Sequence, residues 1–96
     1  MLFMIEAILK PGAEEQLVKF HAEFNEHLGP SASGIRLAGV LRDHEGRRAG
    51  YLALFEGETI EAATKWVHES PIYQAHLCAR LDVYEYEIEL GRLAEG

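Results

Sequence analysis

Two stretches of this chain are apolar on both faces of a strand, and they restrict its fold more than any other feature. Residues 2–9, Leu-Phe-Met-Ile-Glu-Ala-Ile-Leu, carry a single charge at Glu6. Residues 49–56, Ala-Gly-Tyr-Leu-Ala-Leu-Phe-Glu, are charged only at the last position. Successive side chains of a strand point to opposite faces, so a run without alternation has to be covered on both sides. Both stretches are therefore expected in the middle of a sheet.

Between and after them the pattern changes period. Lys10-Pro11-Gly12 breaks the first strand. A helix is expected over 13–28, with Glu14 and Glu15 in its first turn, where the helix dipole favours acids. It stops at Gly29-Pro30. Leu17, Phe20, Phe24 and Leu28 fall on one stripe of that helix, and His21 lies on the same stripe. Residues 35–42 read as a strand with Ile35, Leu37 and Leu41 on one face and Arg36, Ala38, Val40 and Arg42 on the other. The polar run 43–48 is a hairpin turn with Gly46 at a positive φ.

Thr59 caps a second helix over 60–69, whose buried stripe is Ile60, Ala63 and Val67 with Trp66 beside it. Ser70-Pro71 then starts a short helix, serine as N-cap and proline at N1, with Tyr73 and Leu77 as its apolar pair. The last strand, 81–90, alternates: Tyr84, Tyr86, Ile88 and Leu90 inward, Glu85, Glu87 and Glu89 outward.

The order β-α-β-β-α-β is that of the ferredoxin-like α+β fold, in which strands one and three are central. Those are the two stretches apolar on both faces. Helices cover one face of such a sheet, so the other requires a second copy. The expected assembly is a homodimer with facing sheets, a dimeric α+β barrel, each copy contributing one domain over 1–96. Its interior is the natural site for a small molecule.

Charge and cysteine content exclude several functions. Nine Lys and Arg against 16 Asp and Glu give a net charge of −7. That argues against nucleic acid and against anionic membrane surfaces. Cys78 is the sole cysteine, so no intrachain disulfide and no cysteine-based metal site can form. The expected location is cytoplasmic. The apolar start lacks a basic leader, and no run approaches the ~18 apolar residues that span a bilayer.

Candidate chemistry centres on His21, which reads either as a general acid or base or as a core histidine bonded to a backbone carbonyl. Asp43 reads as a turn former or as a carboxylate that orients His21. Ser70 reads as an N-cap or as a hydrogen-bond partner for substrate. Arg36 is an anion holder or the ion-pair partner of Glu6. Arg36 and Arg42 stand about 20 Å apart along one strand and cannot clamp one group. Tyr84 and Tyr86 are candidates for stacking on an aromatic ligand, or plain core. No metal is expected: His21 and His27 occupy different helix faces, and no His-x-x-x-His or Glu-x-x-His occurs. Phosphate-loop and dinucleotide motifs are also missing, so no cofactor is implied.

The chain resembles the YCII-related family of dimeric α+β barrel proteins. His21-Ala22-Glu23-Phe24 is similar to that family's His-x-x-aromatic on the first helix. Residues 35–43, which contain Ala38-Gly39 and end at Asp43, are similar to its strand ending in Ala-Gly-Pro-Leu and an acidic residue. Residues 70–77 are similar to its Asp-Pro-aromatic segment. Val40 stands where that family usually has proline, and Ser70 where it usually has aspartate. The resemblance implies a His–Asp pair acting on small organic substrates, for example in dehydrochlorination of an aromatic, with Asp43 or Ser70 beside His21. The expected function is acid–base lyase or isomerase chemistry on a small cyclic or aromatic organic acid. A non-catalytic ligand-binding or dimerisation module and a cofactor-free monooxygenase are the alternatives.

Overall fold

The two stretches apolar on both faces are the two inner strands of a four-stranded antiparallel sheet. The computed structural model describes residues 1–20, 22, 23, 26 and 34–93. In chain order the elements are β1 (Leu2–Leu9), α1 (Ala13–Leu17), a 3-10 turn (Val18–Phe20), β2 (Ile35–Arg42), β3 (Arg48–Glu56), α2 (Ile60–His68), α3 (Pro71–Gln74) and β4 (Cys78–Tyr86). The strand order is β2-β3-β1-β4, so β1 and β3 are central. This is the ferredoxin-like α+β topology expected from the sequence.

One side of the sheet carries the helices and the core. Phe3, Ile5, Ala7 and Leu9 of β1 meet Tyr51, Ala53 and Phe55 of β3 there, under Leu17, Ala63, Trp66, Val67, Ile72 and Leu77. Burying each of the large side chains contributes about 1.5–3 kcal/mol before entropy is counted. Thr59 and Ser70 cap α2 and α3 as expected, accepting from the amides of Ala62 and Tyr73, each at 3.2 Å. Gly46 has φ 79° in the β2–β3 turn. Among the described residues no helix is long and apolar enough to cross a membrane.

The first helix departs from the expected 13–28. It narrows into a 3-10 turn after Leu17, and residues 22, 23 and 26 are helical. Leu17 and Phe20 pack on the core as the stripe requires. His21, Phe24 and Leu28, the rest of that stripe, lie outside the described residues.

Three further expectations are corrected. In β2, Ile35 pairs with Phe55 but Leu37 pairs with Leu54, so Arg36 is an extra residue, a β-bulge. The bulge sends Ile35 to the core side and leaves Leu37 and Leu41 on the other, where strict alternation would have kept all three together. In α2 and α3, Trp66 and Ile72 are buried, while Ile60 and Tyr73 are exposed and Tyr73 stacks on His68 at 4.5 Å. The last strand begins at Cys78 and ends at Tyr86, not at 81 and 90. His76 in the left-handed region (φ 58°) turns the chain out of α3 early, and Tyr86 pairs with Leu2, where β1 runs out. Beyond that point Leu90 is 97 % exposed.

Among the described residues, the opposite side of the sheet carries no helix. Its rows are read from the register: Tyr86, Leu2 and Glu56; Tyr84, Met4, Leu54 and Leu37; Asp82, Glu6, Leu52 and Gly39; Arg80, Ile8, Gly50 and Leu41. Arg80 binds Glu6 at 3.1 Å and Asp82 at 2.9 Å on this face. Gly50 is required where it stands, because a Cβ there would run into the carbonyl oxygen of Ala7 on the neighbouring strand. Gly50→Ala is expected to cost about 1–3 kcal/mol through that backbone clash. Urea denaturation checks it, and an unchanged midpoint would mean the two strands can part without loss.

Candidate functional site

Among the described residues, Ser70 is the polar side chain that the fold encloses most completely. It is fully buried at the junction of α2 and α3, on the helix side of the sheet. The β-region backbone of Ser70 (φ −71°, ψ 142°) and Pro71 at the first helical position start α3 there. Its hydroxyl oxygen accepts from the Tyr73 amide at 3.2 Å. The Tyr51 phenol approaches it from β3 and interacts with it electrostatically.

Tyr51 was not among the residues that the sequence singled out. Its signal was its place at i, i+2, i+4 with Ala53 and Phe55, which puts a hydroxyl on the core face of a central strand. Burial pushes its phenol well above the ordinary value of 10.0; the nearby Cys78 thiol adds to that and Ser70 opposes it. Burial likewise raises the Cys78 thiol, against the pull of the Lys10 ammonium. The Tyr51 hydroxyl therefore keeps its proton throughout the physiological range and serves as a fixed hydrogen-bonding group.

Beside this buried pair, the described residues of the helix layer leave a strip open. Ala38 pairs with Ala53 and Val40 with Tyr51, which places both on the helix side. Both are nonetheless exposed, Val40 to 43 %.

The other candidates are placed elsewhere. The Asp43 carboxylate is held within the β2–β3 turn, where Oδ1 accepts from the amides of Glu45 (2.9 Å) and Arg47 (3.0 Å). Arg36 pairs with Glu56 at 2.6 Å, whereas Glu6, its expected partner, binds Arg80. Both pairs are partly exposed and add at most about 1 kcal/mol. Tyr84 and Tyr86, 50 % and 41 % exposed, lie on the helix-free face rather than in the core. Arg36 reaches Glu56 in the same row as Tyr86. The described candidates thus divide in two: Ser70 on the helix side, and Arg36, Tyr84 and Tyr86 across the sheet from it. Asp43 sits at the far end of β2 from Arg36, and His21 lies outside the described residues. Among the described residues no group of three or more His, Cys, Asp or Glu is placed to hold a metal ion.

The buried phenol links stability to pH. Above pH 10 the unfolded chain loses the Tyr51 proton while the folded chain keeps it, so the unfolded state binds fewer protons and stability falls as pH rises. Tyr51→Phe is expected to flatten that alkaline loss. Denaturation midpoints at pH 9 to 11 check it, and equal slopes in both proteins would contradict it.

No protein-family model matches the sequence, and no curated protein matches it. Solved structures do. The dehydrochlorinase TftG of Burkholderia phenoliruptrix AC1100, which acts on 5-chloro-2-hydroxyhydroquinone and was solved with 2,5-dihydroxybenzoquinone, superposes with a TM-score of 0.80 at 22% identity, over 91% of this chain and 94% of that one. A protein of Bacteroides thetaiotaomicron, named as a candidate antibiotic biosynthesis monooxygenase, gives 0.62 at 16% identity over 100% and 95%. A variant of the haem degrader MhuD of Mycobacterium tuberculosis, with two manganese protoporphyrin IX molecules per active site, gives 0.52 at 24% identity over 98% and 100%. At these identities the likeness establishes the fold: the chain is a ferredoxin-like α+β protein.

Proposed function

We propose that this chain is a YCII-related homodimeric α+β barrel and an acid–base enzyme of the lyase or isomerase type, acting on a small cyclic or aromatic organic acid. The observation that carries this reading is the superposition on TftG, with its TM-score of 0.80 over nine-tenths of both chains. The small, exposed side chains of Ala38 and Val40 on the helix side support it, leaving that strand accessible to a small molecule. His21 is the base. In an elimination the base takes a proton, its bonding pair moves into the ring system, and the leaving group departs with its own pair. No electron acceptor is consumed, and no metal or organic cofactor is needed.

Asp43 or Ser70 orients His21: Oδ1 of Asp43 accepts from two turn amides and the Ser70 oxygen from the Tyr73 amide, and each keeps further capacity for an imidazole. Tyr84 and Tyr86 belong to the contact between copies rather than to substrate. Arg36 keeps its ion pair with Glu56 there. The helix-free face, with Leu2, Met4, Leu37 and Leu54 on it, is covered by the second copy. A cytoplasmic setting agrees with the lone Cys78. A second reading, a cofactor-free monooxygenase, draws on the 0.62 superposition with the Bacteroides thetaiotaomicron protein.

Thermal shift with hydroxyquinones, phenols and small carboxylates is the first test, followed by turnover of any compound that stabilises the protein. His21→Ala is expected to lower turnover by about 10²-fold or more, with melting and light-scattering mass unchanged. Retained turnover removes His21 as the base. Oxygen consumption during turnover favours the monooxygenase, and a monomeric wild type removes the dimer.

A further inference from the structure

The helix-free face has a diagonal asymmetry. Tyr84 and Tyr86 stand at one corner, on the outer end of β4, and protrude into solvent. Gly39 and Gly50 lie at the diagonally opposite corner, on β2 and β3, where the face has no side chains beyond Leu52 and Leu41. Gly50 is explained within the chain by its approach to Ala7. Gly39 is not: its φ is not positive, and a Cβ built on it meets nothing within 4 Å. A glycine inside a strand weakens it and often marks a place where something from outside comes close.

We propose that the occupant is a second copy of this chain, and that the aromatic corner of each copy covers the glycine corner of the other. This rests on the dimer reading above and adds its geometry. A two-fold axis along the other diagonal of the face exchanges the two corners, as in sheets packed nearly at right angles. Tyr86 then lies over the partner's Gly39, and Tyr84 over the partner's Gly50. Leu54, buried to 6 % although it is on this face, lies close to the axis.

Size and charge agree with this partner. Four strands about 4.8 Å apart, with about eight residues of ~3.3 Å each, give roughly 500 Å² of flat sheet per copy. The pair therefore reaches the ~1,000 Å² expected of a specific interface. The paired rows hold Arg36 and Arg80 against Glu6, Glu56 and Asp82, so the face carries little of the chain's net charge of −7. Arg80, its side chain 65 % exposed, approaches the partner's Asp82 across the same axis.

Sedimentation or light scattering across a dilution series tests this with Gly39→Leu. Because the site is open within one copy, the variant is expected to keep the wild-type circular dichroism while its dimer dissociation constant rises by 100-fold or more. Gly39→Leu that pairs as tightly as a dimeric wild type overturns the corner contact and leaves the dimer standing. A monomeric wild type overturns the dimer reading and this inference together. A cross-link provides a second measurement that does not depend on how Gly39→Leu folds. In a Cys78→Ser background, Gly39→Cys chains mixed with Tyr86→Cys chains are expected to be joined between copies by a short bis-maleimide, which reaches across sheets about 10 Å apart. Failure to cross-link likewise overturns the contact.

Discussion

The pairing of β1 with β3 is the constraint on which the rest of the molecule depends. Each strand brings apolar side chains to both sides of the sheet, so the sheet cannot be left half-covered. Phe3, Ile5, Ala53 and Phe55 turn to the helices and are almost completely buried. Leu2, Met4 and Leu52 turn the other way and stay partly exposed, with Leu54 buried to 6 % beside them. The helix layer and the helix-free face therefore have separate tasks. The first encloses a core with a polar pair in it, and the second is a surface shaped for association.

The polar pair inside the helix layer shows how such a core holds hydroxyls. Ser70 uses its hydroxyl oxygen on the Tyr73 amide, and the Tyr51 phenol is packed beside it. Ala7, the residue beside Tyr51 on β1, is small and leaves room for the phenol to cross toward Ser70. The same arrangement ties the α2–α3 junction to the middle of the sheet. It also fixes one wall of the open strip along β2.

Much of this architecture was legible in the residues, and the limits have physical causes. Absence of alternation located both central strands, and the Thr59 and Ser70-Pro71 signals located both caps. These depend on local chemistry. What local pattern could not reveal was register. The extra residue at Arg36, the exchange of Tyr73 for Ile72 in the core, and the end of β4 at Tyr86 are all decided by a neighbouring strand or helix. The site was less legible for a similar reason. Tyr51 lay inside a hydrophobic run where it read as core, and its role is set by Ser70, which is nineteen positions away in the chain. Asp43 and Arg36 were readable as residue types, but their partners were not: the Asp43 carboxylate turned to its own hairpin, and Arg36 to Glu56 rather than Glu6.

The bulge at Arg36 has a consequence for how the length of this chain can change. An edge strand is usually where an added or missing residue is absorbed most easily. Here one residue separates Ile35, which packs on the core, from Leu37, which faces the opposite side. Deleting it would bring Leu37 next to Ile35 in an unbroken alternation and require one end of the strand to turn over. Gly34, which leads into the strand, would then approach the sheet from the wrong side. For this chain, single-residue deletions are tolerated at the hairpin tip, where Gly46 turns in solvent, and are excluded at the opposite end of the same strand.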